Sequence, residues 1–139
     1  VIVEYFNAND CTIGFEDGHL AKKVKFGEIK RGEIKNNFHR SVFGIGYFGV
    51  GLAKSSIKSK LITPYITWLN MMKRCYDKEY QKKKQPTYIG CIVCDEWHNF
   101  NTFNTWFNEN YIDGFAIDKD IIIKNNKIYS PETCCFVPK

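Results

Sequence analysis

The 139-residue chain is 44% hydrophobic and 25% charged, with a mean hydropathy of −0.36, which excludes a largely disordered chain and predicts a folded one able to bury roughly two-thirds of its unfolded surface. No run approaches the ~20 apolar residues needed to span a bilayer, and Val1-Ile2-Val3-Glu4 lacks the charged lead of a signal peptide, so a cytoplasmic protein without a membrane partner is expected. Charge is uneven: residues 1–90 hold 16 Lys and Arg against 8 acids, whereas residues 91–139 hold 4 against 7, the pattern of a basic surface for a polyanion beside an acidic patch that suits a cation.

Residues 1–6 and 11–15 read as two strands, and Asp17-Gly18 is a tight-turn signal after them. Lys22, Lys23, Lys25, Lys30, Arg31 and Lys35 then crowd one segment. It contains G-E-I-K at 27–30 and again at 32–35, which reads as one turn of chain used twice to set Ile29 and Ile34 into a core. Residues 44–49 spell G-x-G-x-x-G. That motif cradles a pyrophosphate only where a strand turns into a helix. Here Val42, Phe43, Ile45, Tyr47 and Phe48 are strand formers and a polar linker follows, so the glycines mark a bulge or a close backbone approach.

Thr63-Pro64 opens an amphipathic helix, with Thr63 as cap, and Tyr65, Trp68, Leu69, Met72 and Tyr76 repeat at helical spacing to about Tyr80. Lys82, Lys83 and Lys84 follow as cations suited to the negative end of the helix dipole, where solvation and phosphate contact are both open to them. Residues 95–107 form a second amphipathic helix whose rings Trp97, Phe100, Phe103 and Phe107 share one face, read as core before a base-stacking platform. Asp113-Gly114 leads into a strand over 115–123. Asn125-Asn126 turns the chain back, and Ser130-Pro131-Glu132 caps a last helix.

Six cysteines are too unevenly spaced for a secreted disulfide framework. Cys91-x-x-Cys94 has knuckle spacing, and Cys134 or Cys135 is close enough in a small finger to complete a zinc site. Buried free thiols are the competing reading. His19, His39 and His98 form no Ser-His-Asp or Cys-His pattern.

Tyr65, Trp68, Arg74-Cys75-Tyr76, Tyr88, Val93-Cys94-Asp95-Glu96-Trp97, Phe100, Phe103, Gly114, Asp118-Lys119-Asp120, Asn126 and Tyr129-Ser130-Pro131-Glu132-Thr133-Cys134 come in an order and spacing that resemble phage-encoded HNH-endonuclease-like proteins. Residues 1–51 look, more weakly, like the basic β-rich segment that precedes the finger in such proteins. The resemblance implies a ββα-metal finger: a histidine at a strand end activates water, a divalent ion binds the scissile phosphate, and a carboxylate with a His or Asn holds the ion. The implied catalytic positions are Asp118, Lys119 and Asp120. Lys119 stands where active members place the histidine, and Thr133 where they place the Asn or His ligand. Asp118, Asp120 and Asn126 are then the remaining ligands for Mg or Mn. A lysine of ordinary pKa ~10.4 accepts no proton at pH 7 unless burial depresses it. Strand alternation would put Asp118 and Asp120 on one face.

The expectation is an α+β protein, with a basic β-rich lobe over 1–60 and a connecting amphipathic helix plus HNH-like ββα finger over 61–139. It binds nucleic acid, double-stranded DNA being the expected form, and its metal-dependent cleavage is reduced or absent. Lys22, Lys23, Lys25, Arg31, Lys35, Arg74, Lys82, Lys83 and Lys84 are the expected phosphate contacts. Mg or Mn serves cleavage where it survives, and zinc at Cys91, Cys94 and Cys134 stays open. A phage inhibitor with an anti-defence or host-takeover role, binding a host protein on a catalytically dead finger, is the alternative. Both readings place the chain in the host bacterial cytoplasm.

Overall fold

Asn7 and Asp17 begin the two turns that shape the first part of the chain. The Asn7 Oδ1 accepts the Asn9 N–H at 2.8 Å, and the Asp17 Oδ1 accepts the His19 N–H at 3.0 Å, side chains imitating a backbone turn. Gly18, at φ +89°, completes the second turn. These reversals join β1 (Ile2–Asn7), β2 (Asp10–Gly14) and β3 (Leu20–Val24) into an antiparallel sheet of order β1-β2-β3. A short helix, α1 (Phe26–Lys30), follows. The computed structural model describes residues 1–139, and its chain falls into two units, Val1–His39 and Arg40–Lys139. The division comes about twenty residues before the expected one.

In the first unit Cys11, Thr12, Ile13 and Val24 are buried, while every residue of β1 is exposed. The two G-E-I-K copies are not one turn used twice. Ile29 lies in α1 and Ile34 in irregular chain, both half-buried.

The second unit is built on two facing apolar stripes. In α2 (Thr63–Tyr76), Trp68, Met71, Met72 and Cys75 recur at i, i+3, i+4 and i+7 and are buried. In α4 (Phe100–Asn110), Phe100, Phe103 and Phe107 do the same. Trp97 joins them, and its carbonyl accepts the Trp68 indole N–H at 2.7 Å. The expected helix to Tyr80 is two helices. Asp77 leaves helical backbone (ψ 95°) and caps α3 (Lys78–Lys84) by accepting the Tyr80 N–H at 3.0 Å. The buried Gln81 amide donates to the carbonyls of Arg74 and Cys75, both at 2.8 Å, filling acceptors that the end of α2 leaves open.

The glycine-rich segment is a strap laid along the start of α4. Tyr47 donates to the His98 carbonyl (2.8 Å), and the Phe100 and Asn101 N–H groups donate to the carbonyls of Tyr47 (2.9 Å) and Phe48 (3.2 Å). The Asn101 side chain closes the strap, donating to Phe48 O at 2.7 Å and accepting from Ala53 N at 3.0 Å. A helix therefore starts at Phe100 rather than Asp95, after a 3-10 turn over Asp95–His98. A Cβ on Gly46 would stand 2.9 Å from both the Met72 Cε and the Trp68 ring. One on Gly49, at φ +75°, would stand within the van der Waals radius of the Asn99 amide. Close approach is thus the reason for these glycines. The helix donors a pyrophosphate would need are already occupied by strap carbonyls.

Between the strap and α2 lies a two-stranded hairpin, β4 (Ser56–Ile57) and β5 (Lys60–Leu61). After α3, β6 (Ile92–Val93) pairs in parallel with β8 (Ile128–Tyr129), and β7 (Phe115–Asp118) pairs antiparallel with β9 (Cys135–Pro138). The α+β class is as expected, but two of its elements are not. The strand predicted to reach 123 stops at Asp118, and Ser130-Pro131-Glu132 caps no helix. Instead Thr133 and Cys134 both donate to Ser130 O in a turn, and the chain goes on as β9. Burial decides this. Phe136 packs on Trp106, Phe107 and Tyr111 with ring centroids 5.2–5.3 Å apart, and Pro138 has no N–H to continue a helix. The ββα order is therefore not formed by residues 115–139. No helix is long and apolar enough to cross a membrane.

Gly49→Ala should cost roughly 2–4 kcal/mol, combining left-handed strain with overpacking against Asn99. Gly44→Ala, equally left-handed at φ +72° but with nothing near its Cβ, should cost only the strain, about 1–2 kcal/mol. Urea unfolding of the two variants measures the difference.

Candidate functional site

At the end of β7, paired opposite Cys135, the Asp118 carboxylate turns back on its own chain. Its Oδ1 accepts the N–H groups of Asp120 and Ile121, each at 2.8 Å. This Asx-type turn ends the strand. Asp118 and Asp120 therefore do not share a strand face as alternation suggested, because Asp120 lies beyond the strand.

Lys119 points inward and is only 7% exposed. Its Nζ donates to both carboxylate oxygens of Asp120 at 2.9 Å and lies 5.4 and 5.9 Å from the ring centroids of Tyr88 and Tyr129. Burial pulls its pKa down, but the Asp120 carboxylate outweighs burial and leaves it above the ordinary lysine value. It is a cation at neutral pH. The position implied for the base therefore cannot take a proton from water. Asn126 secures the loop by donating to the carbonyls of Lys119 and Ile128. Thr133 is equally committed, its hydroxyl lying 2.7 Å from the Ser130 hydroxyl and donating to Ile128 O at 2.9 Å.

Mg or Mn does not fit this donor set. One Asp118 oxygen is taken by backbone N–H groups, both Asp120 oxygens face an ammonium, and the Asn126 Oδ1 accepts the Ile128 N–H at 3.2 Å. Zinc fares no better. Cys91, Cys94 and Cys134 are free thiols, and no three His, Cys, Asp or Glu side chains stand together as a cation-holding group. Cys91 and Cys134 are buried in the same hydrophobic core as Trp68 and Tyr129. Burial pushes the thiols of Cys75 and Cys134 up to about 12. His98 is structural, its Nε2 lying 2.9 Å from Val93 O and 3.4 Å from the Tyr76 hydroxyl.

The basic residues sort by what holds them. In the first unit Lys22, Lys23 and Lys35 are exposed, Lys25 precedes α1 with its N–H on Glu28 at 3.2 Å, and Arg31 forms an exposed pair with Glu33. That unit carries six Lys and Arg against six acids. The excess lies in residues 40–84, with ten Lys and Arg against two acids. There Arg74 is a structural cation, 5.8 Å from the Tyr88 ring centroid. Lys83 pairs with Glu79 at 3.4 Å, and Lys82 and Lys84 are exposed. Sequence reasoning passed over Lys54, Lys58 and Lys60, all exposed. The signal for them was the absence of any acid between Arg40 and Tyr76.

A cavity of ≈ 720 Å³ lies elsewhere. It runs between strap residues 50–53 and the Asn/Thr face of α4, with Glu96 and Glu109 in its lining. Trp97 also lines it, and its buried indole N–H has no hydrogen-bond partner.

Two outcomes follow. Asp120→Ala leaves the Lys119 ammonium without its carboxylate and should cost about 1–3 kcal/mol. Lys119→Met in the same chain should recover most of this in urea unfolding. The raised thiol pKa values set a pH dependence. Between pH 9 and 12 an unfolded thiol has lost a proton that the folded one keeps. The stability sustained by neutral Cys75 and Cys134 is therefore complete below about pH 9 and lost as pH climbs toward 12. Two such thiols take away about 3 kcal/mol per pH unit within that window, which unfolding at pH 8 and pH 10 would reveal. The chain matches no family model, no curated protein and no solved structure.

Proposed function

We propose that this chain binds double-stranded DNA through the acid-poor stretch of residues 40–84 and does not cleave it at Asp118, Lys119 and Asp120. The observation that carries the reading is a set of exposed ammonium groups with no carboxylate beside them: Lys54, Lys58, Lys60, Lys82 and Lys84. Uncompensated cations of one sign repel each other and gain most from a polyanion that releases its counterions. Lys22, Lys23 and Lys35 of the first unit are available in the same way. Arg31 and Lys83 hold exposed, solvent-screened ion pairs, which a phosphate can displace. Against cleavage stand the protonated state of Lys119, the use of Asp118 in holding the turn and the pairing of Asp120 with the Lys119 ammonium.

A second reading is a protein partner, as in an inhibitor built on a non-catalytic scaffold. What favours it is the α4 groove, whose rim residues Val50 and Leu52 are 70% and 101% exposed.

Supercoiled plasmid with Mg or Mn should stay uncut by the wild-type chain. Duplex affinity should fall steeply with salt, by about 10³-fold between 50 and 200 mM for some six phosphate contacts. Nicking that disappears in Asp120→Ala would overturn the non-catalytic part. Affinity that is flat in salt would overturn the nucleic-acid part and favour the groove.

A further inference from the structure

The β4–β5 hairpin is held together by the pairs Ser56–Leu61 and Ile57–Lys60, with Ile62 N donating to Ser55 O at 3.0 Å. Its turn residues are Lys58 and Ser59, at φ 50° and 65°. A two-residue turn with both residues left-handed is the geometry that Asn-Gly supplies without strain, and a Cβ at either position carries a steric penalty. Such strain persists where surrounding packing enforces it or where a function uses it. Packing does not enforce it here, because residues 56–61 are all exposed, Ile57 and Leu61 at 57% and 52%. What the turn gains from Lys58 is a cation at its tip, with Lys60 one residue beyond and Lys54 at the base. None of the three has an ion-pair partner.

We propose that this hairpin enters the major groove of duplex DNA, with Lys54, Lys58 and Lys60 on the phosphates that border it. The inference rests on the nucleic-acid reading above and names the element that makes the contact. Size supports it. The ladder from Ile62 to the tip is about three residues of strand, or roughly 10 Å, close to the major groove depth of about 8.5 Å, and that groove is wide enough for a two-stranded ribbon. The minor groove, about 6 Å wide, is not. The deep, narrow major groove of duplex RNA excludes such a ribbon as well.

Fluorescence anisotropy with a labelled DNA duplex and an RNA duplex of the same sequence, at several salt concentrations, tests this. Replacing the turn by its unstrained form, Lys58→Asn with Ser59→Gly, should raise Tm while weakening DNA binding, a combination that misfolding cannot produce. The triple variant Lys54→Gln, Lys58→Gln, Lys60→Gln should lose about tenfold or more in DNA affinity at low salt and make the log–log salt slope shallower by about 2–3. Its RNA affinity should change far less. A triple variant with wild-type DNA affinity and slope overturns the hairpin while duplex binding through other lysines stands. Equal losses on DNA and RNA overturn the major-groove placement. Wild-type binding that is absent or indifferent to salt overturns both readings.

Discussion

Trp68 reaches from α2 to the chain just before α4, where its indole N–H meets the Trp97 carbonyl at 2.7 Å, and neither ring is exposed. That bond lets a large heteroaromatic ring be buried without an orphaned donor, and it fixes the distance between the two helices. The strap is a consequence. With Trp68 and Met72 filling the seam, the chain crossing their upper side has no room for a Cβ at Gly46. The start of α4 in turn receives strap carbonyls where a free helix would present unpaired donors. A sequence resembling a phosphate-cradling loop is here the lid of a hydrophobic seam.

The same economy governs the Asp118–Asp120 segment. An ammonium that is 7% exposed is costly to bury alone. Asp120 offsets that cost, and the rings of Tyr88 and Tyr129 add favourable quadrupole contact. The arrangement that makes burial tolerable also removes the chemistry the resemblance implies, since a lysine stabilised as a cation is a poor base and its carboxylate partner a poor metal ligand. Lys119 makes this segment a structural electrostatic clasp.

The helices and their buried faces were legible in the sequence because a 3.6-residue stripe of Trp, Met and Phe has few other uses. The turns at Asp17-Gly18 and the glycine approaches were legible for a similar local reason. What escaped depended on partners distant in sequence. The break at Asp77 needs Gln81 to take over the α2 carbonyls, and the start of α4 at Phe100 needs a strap fifty residues earlier. Ser130-Pro131-Glu132 has the local chemistry of a helix cap, yet Phe136 gains more by packing on Trp106, Phe107 and Tyr111 along β9 than a helix would offer. In the candidate site the identity of Lys119 was plain. Its protonation was not, because that depends on which way the side chain points.

Charge divides along the same line between folding and spare capacity. Arg40 donates to Ile45 O at 2.7 Å, Lys73 and Arg74 lie by the rings of Tyr80 and Tyr88, and Lys127 donates to Thr87 O at 2.9 Å. Each of these cations has a partner inside its own unit. Lys54, Lys58, Lys60, Lys82 and Lys84 have none, so they add to the self-repulsion of a chain already at +5 without any internal return. At Lys58 that repulsion coincides with left-handed backbone strain on a hairpin with no buried residue. A chain shaped by stability alone would relax both with one Asn-Gly turn. Their coexistence at one exposed tip is the combination expected where an external anion, and not the fold, supplies the compensating energy.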